Sequence, residues 1–146
     1  SHKIFKENML LTHKLVALLN KDLPVGVVMN ALAHATIGLG AQIGKQDLML
    51  DDYQDQNGNI YPNISKMPFI ILRGKSGEIR KTLIAAKEQE LAHGVFINTM
   101  TGGTYQEQLA NTLVTPEEQL IYYCIVLFGP VETVNSLTKK FSLWRD

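Results

Sequence analysis

The run Lys14-Leu-Val-Ala-Leu-Leu-Asn20, followed by Lys21-Asp-Leu-Pro-Val-Gly26, constrains the fold more than any other part of the chain. Five apolar residues in succession, Leu15 to Leu19, suit a strand covered on both faces, because a half-exposed strand would alternate. Asp22 then stands where a helix N-cap belongs, and Pro24 is tolerated in a first helical turn, where its missing N–H is not needed. From Val25 to Ile43 apolar residues recur at helical spacing. Val28, Leu32, Ala35 and Leu39 form one stripe, with Val27, Ala31 and His34 beside it. Ala31, Ala33, Ala35, Gly38 and Gly40 would let this helix lie close to a sheet.

The remainder continues the alternation. Lys45 to Asp52 fits neither period. Asn57-Gly58 is a turn pivot, and Ile60 to Lys66 reads as irregular, broken by Pro62. Strands are expected at Phe69–Leu72, Val95–Asn98 and Ile121–Phe128. Helices are expected over Gly74–Leu91, stopped by His93-Gly94, and over Tyr105–Asn111 and Pro130–Lys140. Thr115 reads as an N-cap followed by the acidic first turn of Glu117 and Glu118. Lys139-Lys140 suits the negative end of the last helix. Leu143 and Trp144 are expected to fold back on the body. Together these predict a three-layer α/β/α domain with a four-stranded sheet over residues 14–146, after a polar lead-in over 1–13.

Charge and cysteine usage narrow the function classes. Fourteen basic side chains balance fourteen acidic ones, so no overall field draws the chain to nucleic acid or an anionic membrane. Arg73, Lys75, Arg80, Lys81 and Lys87 cluster, as do Asp47, Asp51, Asp52 and Asp55; both groups read as solvated faces. The single cysteine, Cys124, lies in an apolar run and behaves there as a small hydrophobe. With no unbroken apolar stretch of about 18 residues and no signal peptide, the expected compartment is the cytoplasm, with no membrane association. The four histidines show no ligand spacing and no metal signature is present, so neither metal nor cofactor is expected.

The polar groups that could carry chemistry gather where the strands are expected to end. Asp22 is an N-cap first and a carboxylate for chemistry second. The free N–H groups of Val25 and Gly26 form an anion site at the start of the first helix, beyond the carboxyl end of the first strand. Asn98, Thr99 and Thr101 follow the third strand and lead into Gly102-Gly103-Thr104. That loop either cradles a polar ligand or is a connection with capping hydroxyls. His34 is read as a half-buried helix residue with a satisfied hydrogen bond. No Gly-x-x-x-x-Gly-Lys or Gly-x-Gly-x-x-Gly consensus occurs.

These residues resemble a known group. Leu15–Ala35 with its Asp22-Leu-x-x-Gly26 turn and Ala33-His-Ala35, together with Gly129-Pro130 and Val134-Asn-Ser-Leu-Thr138, resemble the type II peptidyl-tRNA hydrolase fold. Lys14 to Trp144 is similar, more specifically, to an uncharacterised family of that superfamily, catalogued as "domain of unknown function two thousand". The segment Asp55 to Ile64 and Thr104-Tyr105 carry that likeness. The resemblance implies a mixed four-stranded sheet, the last strand antiparallel to the others, and a homodimer. It does not bring the activity with it. The lysine that follows the hydrolases' helix-start glycine is Val27 here, their strand-end aspartate aligns with Asn98, and their glutamine aligns with Ala31.

Two functions follow as expectations. The first is a small cytoplasmic ligand-binding domain that lacks the hydrolase lysine. It would take an anionic or carbonyl ligand at Asp22, Val25, Gly26, Asn98, Thr99 and Thr101, with Gly26 and Asn98 facing one cleft. The alternative is a hydrolase or transferase acting on an ester or amide. Peptidyl-tRNA hydrolysis itself is not expected, because Asn98 is no carboxylate base and Val27 offers no cation.

Overall fold

The structure, a computed structural model, describes residues 12–145; the lead-in expected over residues 1–13 falls, up to residue 11, outside them. Strand β1 (His13–Asn20) runs at the centre of a five-stranded sheet. The others are β4 (Phe69–Gly74), β5 (Ala92–Ile97), β6 (Tyr122–Pro130) and β7 (Ser142–Leu143), in the order β5-β6-β1-β4-β7. β1 and β4 are parallel, with Leu15 opposite Phe69. β6 is antiparallel to both β1 and β5, as expected for the last long strand. The fifth strand was beyond the sequence reading because it is two residues long; it pairs with β4 at Leu72 and Arg73. Beside it Trp144 N–H donates to the Ile71 carbonyl at 2.9 Å, which is the fold-back expected of the chain's end.

The unbroken apolar run of β1 has a direct cause in two cores. Leu15, Ala17 and Leu19 face helix α1 (Val25–Ile43), meeting Val28, Ala31, Ala35 and Leu39. Val16 and Leu18 face helices α2 (Ser76–Glu88) and α4 (Val131–Thr138), meeting Ile79, Ala86 and Val134. A strand buried on both faces has no polar side to alternate with. Helix α1 is long and apolar enough in composition to cross a membrane, although Asn30, His34, Thr36 and Gln42 interrupt its apolar residues. Here it forms one layer of the domain against β1, β5 and β6.

Several local expectations are corrected. Pro24, not Asp22, occupies the cap position of α1, and no side chain caps it. The Pro24 carbonyl accepts from Val27 N–H (3.0 Å) and Val28 N–H (3.3 Å). Helix α2 stops at Glu88, with Glu90 in the left-handed region (φ 56°). Gly94, expected to stop that helix, lies inside β5, where an added Cβ would sit 2.5 Å from the Ala35 carbonyl oxygen. Its role is the close approach of α1 to the sheet. Residues 117–119 form a single 3-10 turn with Pro116 before it, so Thr115 caps no α-helix. Helix α4 ends at Thr138, and Lys139 and Lys140 follow it; the Lys140 ammonium lies 5.2 Å from the centre of the Phe141 ring.

The segment read as irregular around Pro62 is a strand. β2 (Leu50–Gln54) and β3 (Ile60–Ser65) form a separate antiparallel ribbon. Pro62 is tolerated because the register slips between Asp51 and Tyr53, with Asn63 at φ 62°. The expected turn at Asn57-Gly58 is built on Asp55. Its carboxylate accepts from Asn57 N–H (2.9 Å), Asn59 N–H (3.0 Å), Asn59 Nδ2 (3.0 Å) and the Tyr61 hydroxyl (2.7 Å). Led by the tyrosine bond, these hold the carboxyl down to about 2.

Candidate functional site

At the carboxyl ends of β1, β4 and β5 the chain enters β6, and this entry gathers most of the polar candidates. Asn20 closes β1 and is almost fully buried. Its Nδ2 donates to the Tyr122 carbonyl (2.9 Å), and its Oδ1 accepts from Asp22 N–H (2.9 Å). On the other side Asn98 N–H donates to the Ile121 carbonyl (3.0 Å), and Asn98 Oδ1 accepts from Ile121 N–H (2.9 Å). The two asparagines thus clamp the start of β6 from both flanks. Sequence reasoning missed Asn20; a polar residue ending an otherwise apolar strand was the available signal, since buried amides are kept where they satisfy backbone groups.

The structure brings Asn98, Thr99 and Thr101 into one 3-10 turn over Asn98–Met100 and the residue after it. Their polar atoms are engaged within the fold. Thr99 is buried and hydrogen-bonded to Thr112 Oγ1 (2.8 Å), and Thr101 Oγ1 donates to the Asn98 carbonyl (2.6 Å). Asp22, Val25 and Gly26 are exposed at the start of α1. A side chain at Gly26 would meet nothing within 4 Å, so the backbone there is open to solvent. β6 lies between β1 and β5, so one strand stands between the strand ends that lead to these two groups of residues.

A second cluster pins the same entry from outside. Arg80 on α2 grips the Glu117 carboxylate with Nε (2.8 and 2.9 Å) and Nη2 (2.6 Å), and the Tyr122 hydroxyl donates to Glu117 at 2.5 Å. The guanidinium first, then the phenol, hold the Glu117 carboxyl down to about 2. Burial first, then Glu117, pushes the Tyr122 phenol up to about 12. Each group is occupied by another, an arrangement that holds the 3-10 turn against α2. Cys124 is fully buried, and burial pushes its thiol up to about 12, so no thiolate is at hand. Among the described residues no three His, Cys, Asp or Glu side chains gather as a metal set.

The opening with unspent polar chemistry lies along the flank of α1 that faces β5. Here a groove of about 370 Å³ is lined by His34, Val95, Phe96, Met100 and Gln108. Gln108 belongs to helix α3 (Tyr105–Leu113), whose start is fixed by the reciprocal cap between Thr104 and Glu107. His34 is exposed, not half-buried, and makes no hydrogen bond among the described residues. Its ring lies tilted against Phe96, centroids 5.7 Å apart, and Phe96 in turn packs on Tyr123 at 5.7 Å. Gln108 Nε2 donates to the Gly102 carbonyl (3.0 Å), which leaves its Oε1 as an acceptor. The groove therefore offers an imidazole, which can donate from one ring nitrogen and accept at the other, and a carboxamide oxygen over an aromatic floor. His34 lies nine residues beyond Val25, about 13 Å along the helix at the usual rise.

Comparison with known proteins places the chain in a family without assigning it a task. Residues 13–145 match the family described as "Protein of unknown function (DUF2000)", and the chain belongs to that family. A solved structure of a protein of unknown function, Atu0240 from Agrobacterium tumefaciens strain C58, superposes with a TM-score of 0.77 at 22% identity. The match covers 92% of this chain and 98% of that one, so the two share a fold. No curated protein matches the chain.

Proposed function

We propose that this chain is a small ligand-binding domain whose site is the groove at His34, Phe96, Met100 and Gln108. The observation that carries the reading is an exposed imidazole, free of hydrogen bonds to the described residues, packed on Phe96 in a groove that Gln108 also lines. Apolar walls with a few convergent polar groups are the usual make-up of a small-molecule site. The donor and acceptor set suits a secondary amide or similar carbonyl compound: its oxygen accepts from His34 and its N–H donates to Gln108 Oε1. A carboxylate would use the first contact alone. The open amides of Val25 and Gly26 at the start of α1 suit the anionic end of a longer ligand. Asp22, Asn98, Thr99 and Thr101 then frame the region, Asn98 and the threonines by holding its turn in place.

We read the architecture as peptidyl-tRNA hydrolase-like without the hydrolase's charged groups, and the compartment as cytoplasmic. The antiparallel β6 between the parallel-running β1 and β5 supports the first; a single buried cysteine supports the second. Hydrolysis of an ester or amide is the weaker reading for a physical reason. A general-base histidine is usually oriented by a partner on its second nitrogen, and His34 has none among the described residues. The test is a binding series with N-acetylglycinamide and acetate, using wild type and His34→Ala. Loss of one hydrogen bond should weaken amide binding about tenfold, about 1.4 kcal/mol. Equal affinity in both proteins would refute the site, and turnover abolished by His34→Ala would establish the enzyme reading.

A further inference from the structure

The flank of α1 turned away from His34 borders a trough that is apolar along its length and basic at one end. Met29, Ala33, Ile37, Phe69 and Ile71 line a groove of about 610 Å³ there. A second groove of about 210 Å³ shares Thr36 and Phe69 with it and reaches Leu50 and Ile64 on the β2–β3 ribbon. A third, of about 390 Å³, shares Leu50 with the second and is lined also by Lys45 and Lys66. Two backbone bonds bring those lysines to one mouth: Leu50 N–H donates to the Lys45 carbonyl and Lys66 N–H to the Met49 carbonyl, both at 3.1 Å. From Met29 to Ile43 the helix runs about 21 Å beside the first two grooves. Its nineteen residues include no Asp, Glu, Lys or Arg.

Thr36 stands where the first two grooves meet, and its hydroxyl is withheld from them. Thr82, Thr112 and Thr138, each a full turn inside a helix, donate to the carbonyl four residues back at 2.8, 2.7 and 2.8 Å. Thr36 makes no such bond, and its Oγ1 is buried without a partner. The side-chain surface it shows is therefore carbon, and the joint is as apolar as the walls on either side. Asn63 and Ser65 are the other polar residues of the second groove, and Ser65 is tied to the Leu48 carbonyl at 2.6 Å.

We propose that this trough binds a long-chain carboxylate, a free fatty acid in chemical class, with its carboxylate between Lys45 and Lys66 and its chain along α1 toward Met29. Charge fixes the head. Lys45 has no carboxylate within ion-pair distance among the described residues, and Lys66 has Asp51 alone, at 3.3 Å, so the mouth keeps a net positive charge. The walls fix the tail, since each methylene fully buried against them is worth about fourfold in affinity. A neutral hydrocarbon would leave the lysines idle, and a small polar anion would leave the apolar length idle. An anionic membrane is disfavoured, because Asp51 and Asp52 stand exposed on the ribbon and would meet it. A single carboxylate needs only the lysines. The amide groove at His34 lies on the opposite flank of α1, toward β5, so the two readings stand or fall separately.

The experiment is a calorimetric titration of the full chain with laurate and octanoate below their micellar concentrations. Laurate should bind, and octanoate at least about tenfold more weakly, because its shorter chain buries fewer methylenes. Lys45→Ala combined with Lys66→Ala should weaken laurate about threefold to tenfold and remove the salt dependence expected of wild type. Both lysines are exposed, so the fold should survive their loss. In the wild type, laurate should shift the methyl signals of Met29 and Ile37. No laurate binding, equal affinity in the double variant, octanoate as tight as laurate, or shifts that spare Met29 and Ile37 would each overturn the proposal. A protein that ignores laurate but cosediments with phosphatidylserine vesicles would overturn it in favour of a membrane surface.

Discussion

Replacing Asn20 tests how the entry to β6 is held. Its side chain makes two hydrogen bonds at 2.9 Å, one to the Tyr122 carbonyl and one from Asp22 N–H, and both Asn20 and Tyr122 are 3% exposed. In Asn20→Ala the exposed Asp22 finds water for its N–H at little cost. The buried Tyr122 carbonyl loses its side-chain donor, and leaving such a group unsatisfied costs about 1–3 kcal/mol. Taking about 2 kcal/mol, the melting midpoint should fall by about 4–8 °C for a chain of this size. Asn20→Asp separates this cause from simple loss of volume. It keeps an acceptor for Asp22 but turns a carboxylate oxygen toward a buried carbonyl, so it should cost more than alanine, about 3 kcal/mol. Urea unfolding with a common slope provides the assay. A loss under about 0.5 kcal/mol for alanine, or an aspartate variant no worse than alanine, would mean that the Tyr122 carbonyl does not depend on Asn20.

Three further outcomes follow from named contacts. Gly94→Ala places a methyl 2.5 Å from the Ala35 carbonyl oxygen, a backbone atom that cannot rotate aside, and should destabilise by about 1–3 kcal/mol in the same unfolding assay. Glu117 has its pKa depressed to about 2 from an ordinary 4.5, so its stabilisation is complete above 4.5 and disappears as pH falls toward 2. Wild type should therefore exceed Glu117→Gln in stability at neutral pH, with the difference shrinking across that acid window; a difference constant with pH would contradict the linkage. Cys124, buried and with its thiol raised to about 12, should resist thiol reagents in the native state and react on unfolding.

The fold was legible where burial dictates the sequence. Leu15–Leu19 needed apolar residues on both faces, so an unbroken run announced a central strand. The extent of helix α1, Val25–Ile43, was legible because apolar residues recur at helical spacing throughout it, although its cap is Pro24 and not Asp22. Legibility failed where neither period nor burial acts. β7 is two residues long, and β3 is an exposed ribbon strand containing proline, so neither leaves a pattern. Gly94 illustrates a different failure: the same residue type serves a helix stop and a tight packing contact, and only the neighbour across space, Ala35, decides which. The site was half legible. The turn after β5 was found, but the work of Asn98 and Thr99 inside the fold depends on Ile121 and Thr112, distant in sequence. His34 was noticed on its helix, yet its exposure beside Phe96 and Gln108 follows from where α3 lands.

The most direct test of the ligand-binding account is an amide-resonance titration of the full chain with N-acetylglycinamide. Shifts are expected at the amides of Ala35, Val95 and Met100, and are lost in His34→Ala while the fold is unchanged. An unshifted spectrum at saturating probe, or shifts confined to residues away from this groove, would contradict it.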